Sequence, residues 1–264
     1  MTQAQRPMLI RRTPAPALRG RLTSYYGFLE QTGTPVRRRE GPGVDVVVIL
    51  TLEEHWLIDG ARHESFVAGL HEAPVTAEHR GRSLGMQVNL DPLAARALVA
   101  FPLHELAHRA VPLEEVLDEP FLVERLAEAR DWDARFALLE ATLARRLADA
   151  RRLADARPSR EVAWAWQRLR ATHGRVAISV LAEELGWSRK RIVARFRDEI
   201  GLPPKAVARL LRFERARELA GTMPWKELAF ACGFYDQSHL INEFRAITGR
   251  TPETFLQDAT SSAA

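Results

Sequence analysis

Apolar positions recur with two different periods along this chain. Between residues 22 and 90 the apolar runs are short and strand-like. VDVVVIL (Val44–Leu50) is a continuous β-branched run bounded by Gly41-Pro42-Gly43. HWLIDG (His55–Gly60) alternates and ends on Asp59-Gly60, a hairpin signal. SFVAGLH (Ser65–His71) and GMQVNL (Gly85–Leu90) add further strands. Short strands separated by turn residues predict an antiparallel sandwich or small barrel. Asp91 marks the change to a helical period. It stands where an N-cap is expected, Pro92 takes the first helical position, and Pro102 is expected to interrupt or end that helix. PLEEVLDEPFLVERLAEA continues in short helices. In DWDARFALLEATLARRLADA, Trp132, Phe136, Leu139, Leu143 and Leu147 form one stripe, which serves either the core of its own domain or a dimer seam.

The charged, apolar-poor stretch ARRLADARPSREV, near residues 150–162, is broken by Pro158-Ser159 and marks a domain boundary. It separates a first domain over residues 1–155 from a second over 160–257. VAWAWQRLRATHG (Val162–Gly174) opens the second as an amphipathic helix closed by a glycine. Trp164 and Trp166 cannot share one face of it, so one is expected in the core and the other at an interface or in solvent.

The strongest pattern lies near the C-terminus. In WKELAFACGFYDQSHLINEFRAITG (Trp225–Gly249), Leu228, Ala229 and Cys232 keep helical spacing until Gly233 interrupts. Asp236 can cap a following helix, in which Leu240, Phe244 and Ile247 form an apolar stripe. Helix, tight glycine turn and helix with a polar outer face is the pattern of a DNA-reading helix-turn-helix. The segment Leu181–Gly201, LAEELGWSRKRIVARFRDEIG, repeats it. Leu181-Ala182 corresponds to Leu228-Ala229, Gly186-Trp187 to Gly233-Phe234, and Ile192 and Phe196 to Leu240 and Phe244. The second turn holds one extra residue. PPKAVARLLRFERARELAG (Pro203–Gly221) joins the units as a linker helix about 25 Å long. The expected fold class is therefore α+β: a β-rich N-terminal domain with trailing helices, then an all-α domain of two helix-turn-helix units.

Charge sharpens this division. The chain has 264 residues and a formal net charge of +4. Residues 1–157 carry 21 basic against 22 acidic side chains, whereas residues 158–257 carry 17 against 11. The basic excess accompanies the helix-turn-helix pair and predicts a polyanionic partner for that part alone. The single cysteine, Cys232, excludes an internal disulfide and fits a reducing, cytoplasmic compartment. No apolar run approaches the roughly 20 residues of a membrane span. The N-terminal residues hold no sustained apolar segment, so no signal peptide is read and a frayed tail is expected. His55, His63, His71 and His79 recur every eight residues, but spacing alone does not make ligands converge, so no metal site is assigned.

The tandem units and the run GFYDQSHLINEFRAITGRTPETF resemble the AraC/XylS family of transcription regulators over about residues 160–257. The resemblance implies sequence-specific promoter binding, usually with activation through contact with RNA polymerase; no cofactor is expected. It also implies an N-terminal regulatory domain, often cupin-like, that senses a small-molecule effector or forms a homodimer. No effector site carries over to particular residues. A ligand-independent repressor or architectural DNA binder is the alternative. An enzyme is not expected: alkyltransferases fused to such modules need several cysteines, and the N-terminal region has none.

Helical geometry selects the residues that face DNA. In the first reading helix these are Lys190, Ala194 and Arg197, with Val193 alongside and Arg189 at the N-terminal end. In the second they are Ser238, Asn242 and Arg245, flanked by Gln237, His239 and Ile241. Arginine and lysine suit guanine, glutamine and asparagine suit adenine, and aliphatic side chains can meet the thymine methyl. Phosphate competes for Arg189, Arg197 and Arg245, and Arg191 and Arg195 lie on the flanks. The resemblance points to the same reading positions.

Overall fold

The computed structural model describes residues 8–99, 102–150 and 158–255. Its N-terminal part holds strands β1 (Met8–Arg11), β2 (Leu22–Gln31), β3 (Val36–Glu40), β4 (Val46–Glu53), β5 (Trp56–Ile58), β6 (Ala61–His63), β7 (Phe66–Ala68), β8 (Val75–His79), β9 (Arg82–Leu90) and β10 (Ala110–Pro112). They pair antiparallel in two sheets. One has six strands in the order β1-β2-β9-β4-β7-β10, the other four in the order β3-β8-β5-β6.

The six-stranded sheet is buried on both faces. Val46, Val48 and Leu50 of β4 join Met86, Val88 and Leu90 of β9 in a core shared with the helices. Ile49 turns the other way, toward Phe28 and Phe66 and against Trp56 and Ile58 of the smaller sheet. Alternate side chains of β4 therefore serve two apolar layers, which is why its sequence shows no polar alternation. The Asp59-Gly60 hairpin forms as expected, both residues at positive φ (47° and 82°), joining β5 to β6.

Helices α1 (Pro92–Leu98), α2 (Leu113–Val116), α3 (Leu122–Glu128) and α4 (Trp132–Ala150) follow. Asp91 caps α1, its Oδ1 accepting from the Leu93 N–H at 2.9 Å. The α4 stripe resolves as core: Phe136, Leu139, Leu143 and Leu147 are buried together with the sheet, and Phe136 meets Tyr25 edge-on at 5.1 Å.

Three local expectations are corrected. Met8–Arg11 is not a frayed tail but an edge strand on β2, held by backbone pairing while Met8 and Leu9 stay half-exposed. Ala110–Pro112, inside the stretch expected to be helical, pairs with β7; three residues are too few to show a period of two. Helix α1 ends at Leu98, before Pro102, because Val99 is already extended.

The C-terminal part is all helical: α5 (Arg160–Ala171), α6 (Ile178–Glu184), α7 (Arg189–Ile200), α8 (Pro204–Leu219), α9 (Trp225–Ala231) and α10 (Gln237–Thr248). Trp166 is buried, and Trp164 lies half-buried against the same core. The expected boundary at residue 155 and the expected end at 257 lie outside the described residues.

The apolar core does not respect the charge boundary. Trp166 of α5 and Ile192, Phe196 and Ile200 of the first helix-turn-helix unit belong to the same cluster as the sheet and α1–α4. Asp91 joins the two parts directly: its Oδ2 accepts from Trp166 Nε1 at 2.9 Å and from Arg170 Nη1 at 3.0 Å. The second unit has its own core of Phe213, Leu228, Ala229, Cys232, Phe234, Leu240, Phe244 and Ile247. Among the described residues no helix is long and apolar enough to cross a membrane.

Candidate nucleic-acid interface

Both reading helices are built by the same local chemistry. Gly186 and Gly233 take positive φ (62° and 77°), a region that costs glycine nothing. The next residue then turns back on the first helix: Trp187 N–H donates to Ala182 O at 2.8 Å, and Phe234 N–H to Ala229 O at 2.9 Å. These are matched C-terminal capping turns. A side-chain cap follows in each unit. Ser188 Oγ accepts from Arg191 N–H at 3.2 Å, and Asp236 Oδ1 from His239 N–H at 2.7 Å. The residue inserted between turn and cap in the second unit is Tyr235, which is pushed outward and is 85% exposed.

Burial fixes which face each reading helix offers. Ile192, Phe196 and Ile200 anchor α7, and Leu240, Phe244 and Ile247 anchor α10. Phe244 packs edge-on against Phe213 of α8 at 4.9 Å. The opposite faces are open. Arg189, Lys190, Ala194 and Arg197 are exposed on α7, and Gln237, Ser238, His239, Asn242 and Arg245 on α10. Val193 is half-buried against the core, so it borders the α7 face rather than standing at its centre. Ile241 is likewise half-buried.

The flanking arginines differ. Arg195 is engaged within its own helix, 2.6 Å from Glu199, which also receives the Ser159 N–H at 2.6 Å. Arg191 lies over the Trp187 ring at 4.7 Å from its centroid. Stacking orients that guanidinium at the protein surface, a placement suited to phosphate.

His239 is more constrained than its exposure suggests. Its ring meets Phe234 edge-on at 5.4 Å, and its Nδ1 lies 3.4 Å from the Tyr235 N–H. Glu243 sits one turn further along, 3.9 Å from His239 Nε2, and is held by Arg209 of the linker helix. Helical periodicity selected His239 but missed this support, because Arg209 and Tyr235 carry no distinguishing signal in sequence.

The N-terminal part holds a second polar constellation between the sheets. Arg38 of β3 donates to Glu30 of β2, and His79 Nε2 of β8 lies 3.2 Å from Glu30 Oε2. Burial pushes the His79 imidazole below its ordinary pKa. Arg38 Nε, Trp56 Nε1 and Ser83 Oγ are buried there without a hydrogen-bond partner. The four evenly spaced histidines do not converge: His63 lies against Phe66, and His71 near Gly69 O. Among the described residues no group of three or more His, Cys, Asp or Glu side chains is placed to hold a metal ion.

Residues 181–258 match the family model of a helix-turn-helix domain. Among curated proteins none matches the chain. Several solved structures are similar. The apo form of a ToxT variant from Vibrio cholerae strain SCE256 matches with a TM-score of 0.51 at 9% identity, over 93% of this chain and 98% of that one. ToxT from Vibrio cholerae O395, bound to (E)-4-(8-methylnaphthalen-1-yl)but-3-enoic acid, gives 0.50 at 9% identity over 96% and 98%. The C-terminal domain of AraT, a response regulator from Geobacillus stearothermophilus, gives 0.36 at 23% identity over 39% and 88%. The α+β architecture is thus shared with ToxT along nearly the whole chain. With the family match at residues 181–258, the fold and the exposed helix faces define a tandem helix-turn-helix domain of the kind that binds DNA. The family match lies wholly within the C-terminal part of the chain.

Proposed function

We propose that each subunit reads two adjacent major-groove segments of a promoter, one with α7 and one with α10. The observation that carries this is the pair of capped helices on one linker helix, each buried along one stripe and open along the opposite one. Arg189, Lys190 and Arg197 suit guanine edges and phosphates, and Ala194 with the bordering Val193 suits a thymine methyl. Gln237 and Asn242 suit adenine, Ser238 and His239 offer further polar contacts, and Arg245 reaches guanine or phosphate. The two faces differ in chemistry, so the site read by one subunit is non-palindromic.

Residues 1–155 form the regulatory half in this proposal and residues 160–257 the DNA-reading half, acting in the cytoplasm. Response to an effector is supported by the three buried polar atoms without partners between the two sheets. Contact with RNA polymerase and pairing into a homodimer rest on the family resemblance alone. Selection of binding sites from random duplexes with the full chain tests the reading. It predicts two conserved elements of different sequence on one DNA face, and a single element contradicts it.

A further inference from the structure

The N-terminal part reaches the second helix-turn-helix unit, although the two share no apolar core. One contact is Arg39 of β3. A Cβ placed on Gly249, which ends α10, would lie 2.6 Å from Arg39 Nη1, so the guanidinium rests against that helix's carboxyl end. A cation is favoured there by the helix dipole. The other contact passes through Arg209 of α8. Its Nε donates to Glu243 Oε2 on α10, and its Nη1 lies 3.8 Å from Glu72 Oε1, in the segment after β7. All three side chains are partly withdrawn from solvent, at 26% exposure for Arg209, 21% for Glu243 and 35% for Glu72.

A guanidinium is a planar fork, so two carboxylates on different edges fix its plane. Glu243 is the neighbour of Asn242 and lies one turn from His239, whose Nε2 it approaches at 3.9 Å. We propose that Arg209 is a positioning residue through which Glu72 of the N-terminal part sets where His239 and Asn242 of the second reading helix meet DNA. This rests on the reading of α10 as a base-contacting helix. The first reading helix has no such tie to Glu72, being packed into the shared core through Ile192 and Phe196.

The inference makes base preference at the α10 element depend on a side chain that touches no base. Glu72→Gln keeps the shape and removes the charge. In the full chain it should lower affinity for the complete site about threefold to fivefold, the scale of one partly exposed ion pair. It should also broaden base preference at the α10 element and leave the α7 element unchanged. Arg209→Gln should weaken binding more, because Glu243 is then unneutralised near the phosphates. Arg209→Lys restores charge but cannot grip two carboxylates, so affinity should recover while the α10 preference stays broadened. A Glu72→Gln protein with unaltered preference, or with both elements weakened alike, overturns the proposal, as does full recovery of preference in Arg209→Lys. If the unaltered chain selects no α10 element at all, the underlying reading of α10 fails instead.

Discussion

Ser188 and Asp236 occupy the same place in the two helix-turn-helix units. Each accepts the backbone N–H three residues on, at 3.2 Å and 2.7 Å respectively. The reading helices thus begin at matched points although one turn is a residue longer. A cap contributes about 1 kcal/mol to the helix it starts. Asp236→Ala is expected to destabilise the second unit by about that amount and to weaken protection of the α10 element. Chemical denaturation and footprinting measure the two effects, and an unchanged footprint tells against α10 as a reader.

Lys190 and Asn242 stand exposed on α7 and α10. Lys190→Ala and Asn242→Ala should each cost about 1–3 kcal/mol at one base position and relax preference there, in different elements of the site. Binding measured against a panel of single-base variants checks this. Loss spread evenly over every position would reassign these side chains to phosphate.

Arg191, stacked on Trp187, is expected to behave in that second way. Arg191→Ala should weaken binding to all sequences alike and reduce the slope of log affinity against log salt by about 1. Affinities at several salt concentrations, on specific and scrambled duplexes, decide the matter.

Asp91 has two tasks: it caps α1 and accepts from Trp166 and Arg170. Asp91→Ala removes the cap and leaves the buried indole N–H without its acceptor. A loss of about 2–4 kcal/mol in unfolding free energy is expected. Asp91→Asn keeps a single acceptor oxygen, which can serve either the α1 cap or the Trp166 and Arg170 donors but not both, so it should lose only part of that amount. Urea denaturation of the two variants provides the comparison.

Glu214 of the linker helix accepts the Val44 N–H at 3.2 Å. Burial, with the Asp45 carboxylate nearby, pushes its pKa up to about 7. A raised carboxyl pKa favours the protonated form in the folded state. Its contribution is therefore complete below the ordinary value near 4.5 and is lost as pH rises through about 7. With solvent screening at this half-buried site, the loss should be about 1–2 kcal/mol. Glu214→Gln should flatten the fall in stability between pH 5 and pH 8, a window set by that same pair of values. A wild-type slope retained in Glu214→Gln assigns the effect to another group.

The parts of this molecule that local chemistry decides were legible in sequence. Gly186, Gly233, Asp236 and the stripe of Leu240, Phe244 and Ile247 announce helix, turn and helix without tertiary information. The Val44–Leu50 run announced a strand, and the structure adds that it is buried on both faces, with Val48 and Ile49 in opposite layers. What could not be read are contacts between residues far apart in sequence. Nothing near Glu72 or Glu243 marks Arg209 as their common partner. Nothing near Asp91 shows that it serves Trp166 as well as its own helix. Edge strand β1 escaped for a related reason: backbone pairing holds it, and its side chains bury too little surface to leave a periodic signal. The open faces of α7 and α10 followed from 100° per residue, whereas the half-burial of Val193 depends on which neighbour packs beside it.

The central claim is that one chain asks two different questions of one DNA segment. Hydroxyl-radical footprinting of the full chain on a selected site tests it most directly. The expected result is two protected patches on one face of the duplex, centred about one helical turn apart and differing in sequence. Asn242→Ala should weaken one patch and Lys190→Ala the other. A single patch, or two patches that both variants weaken equally, would contradict the account.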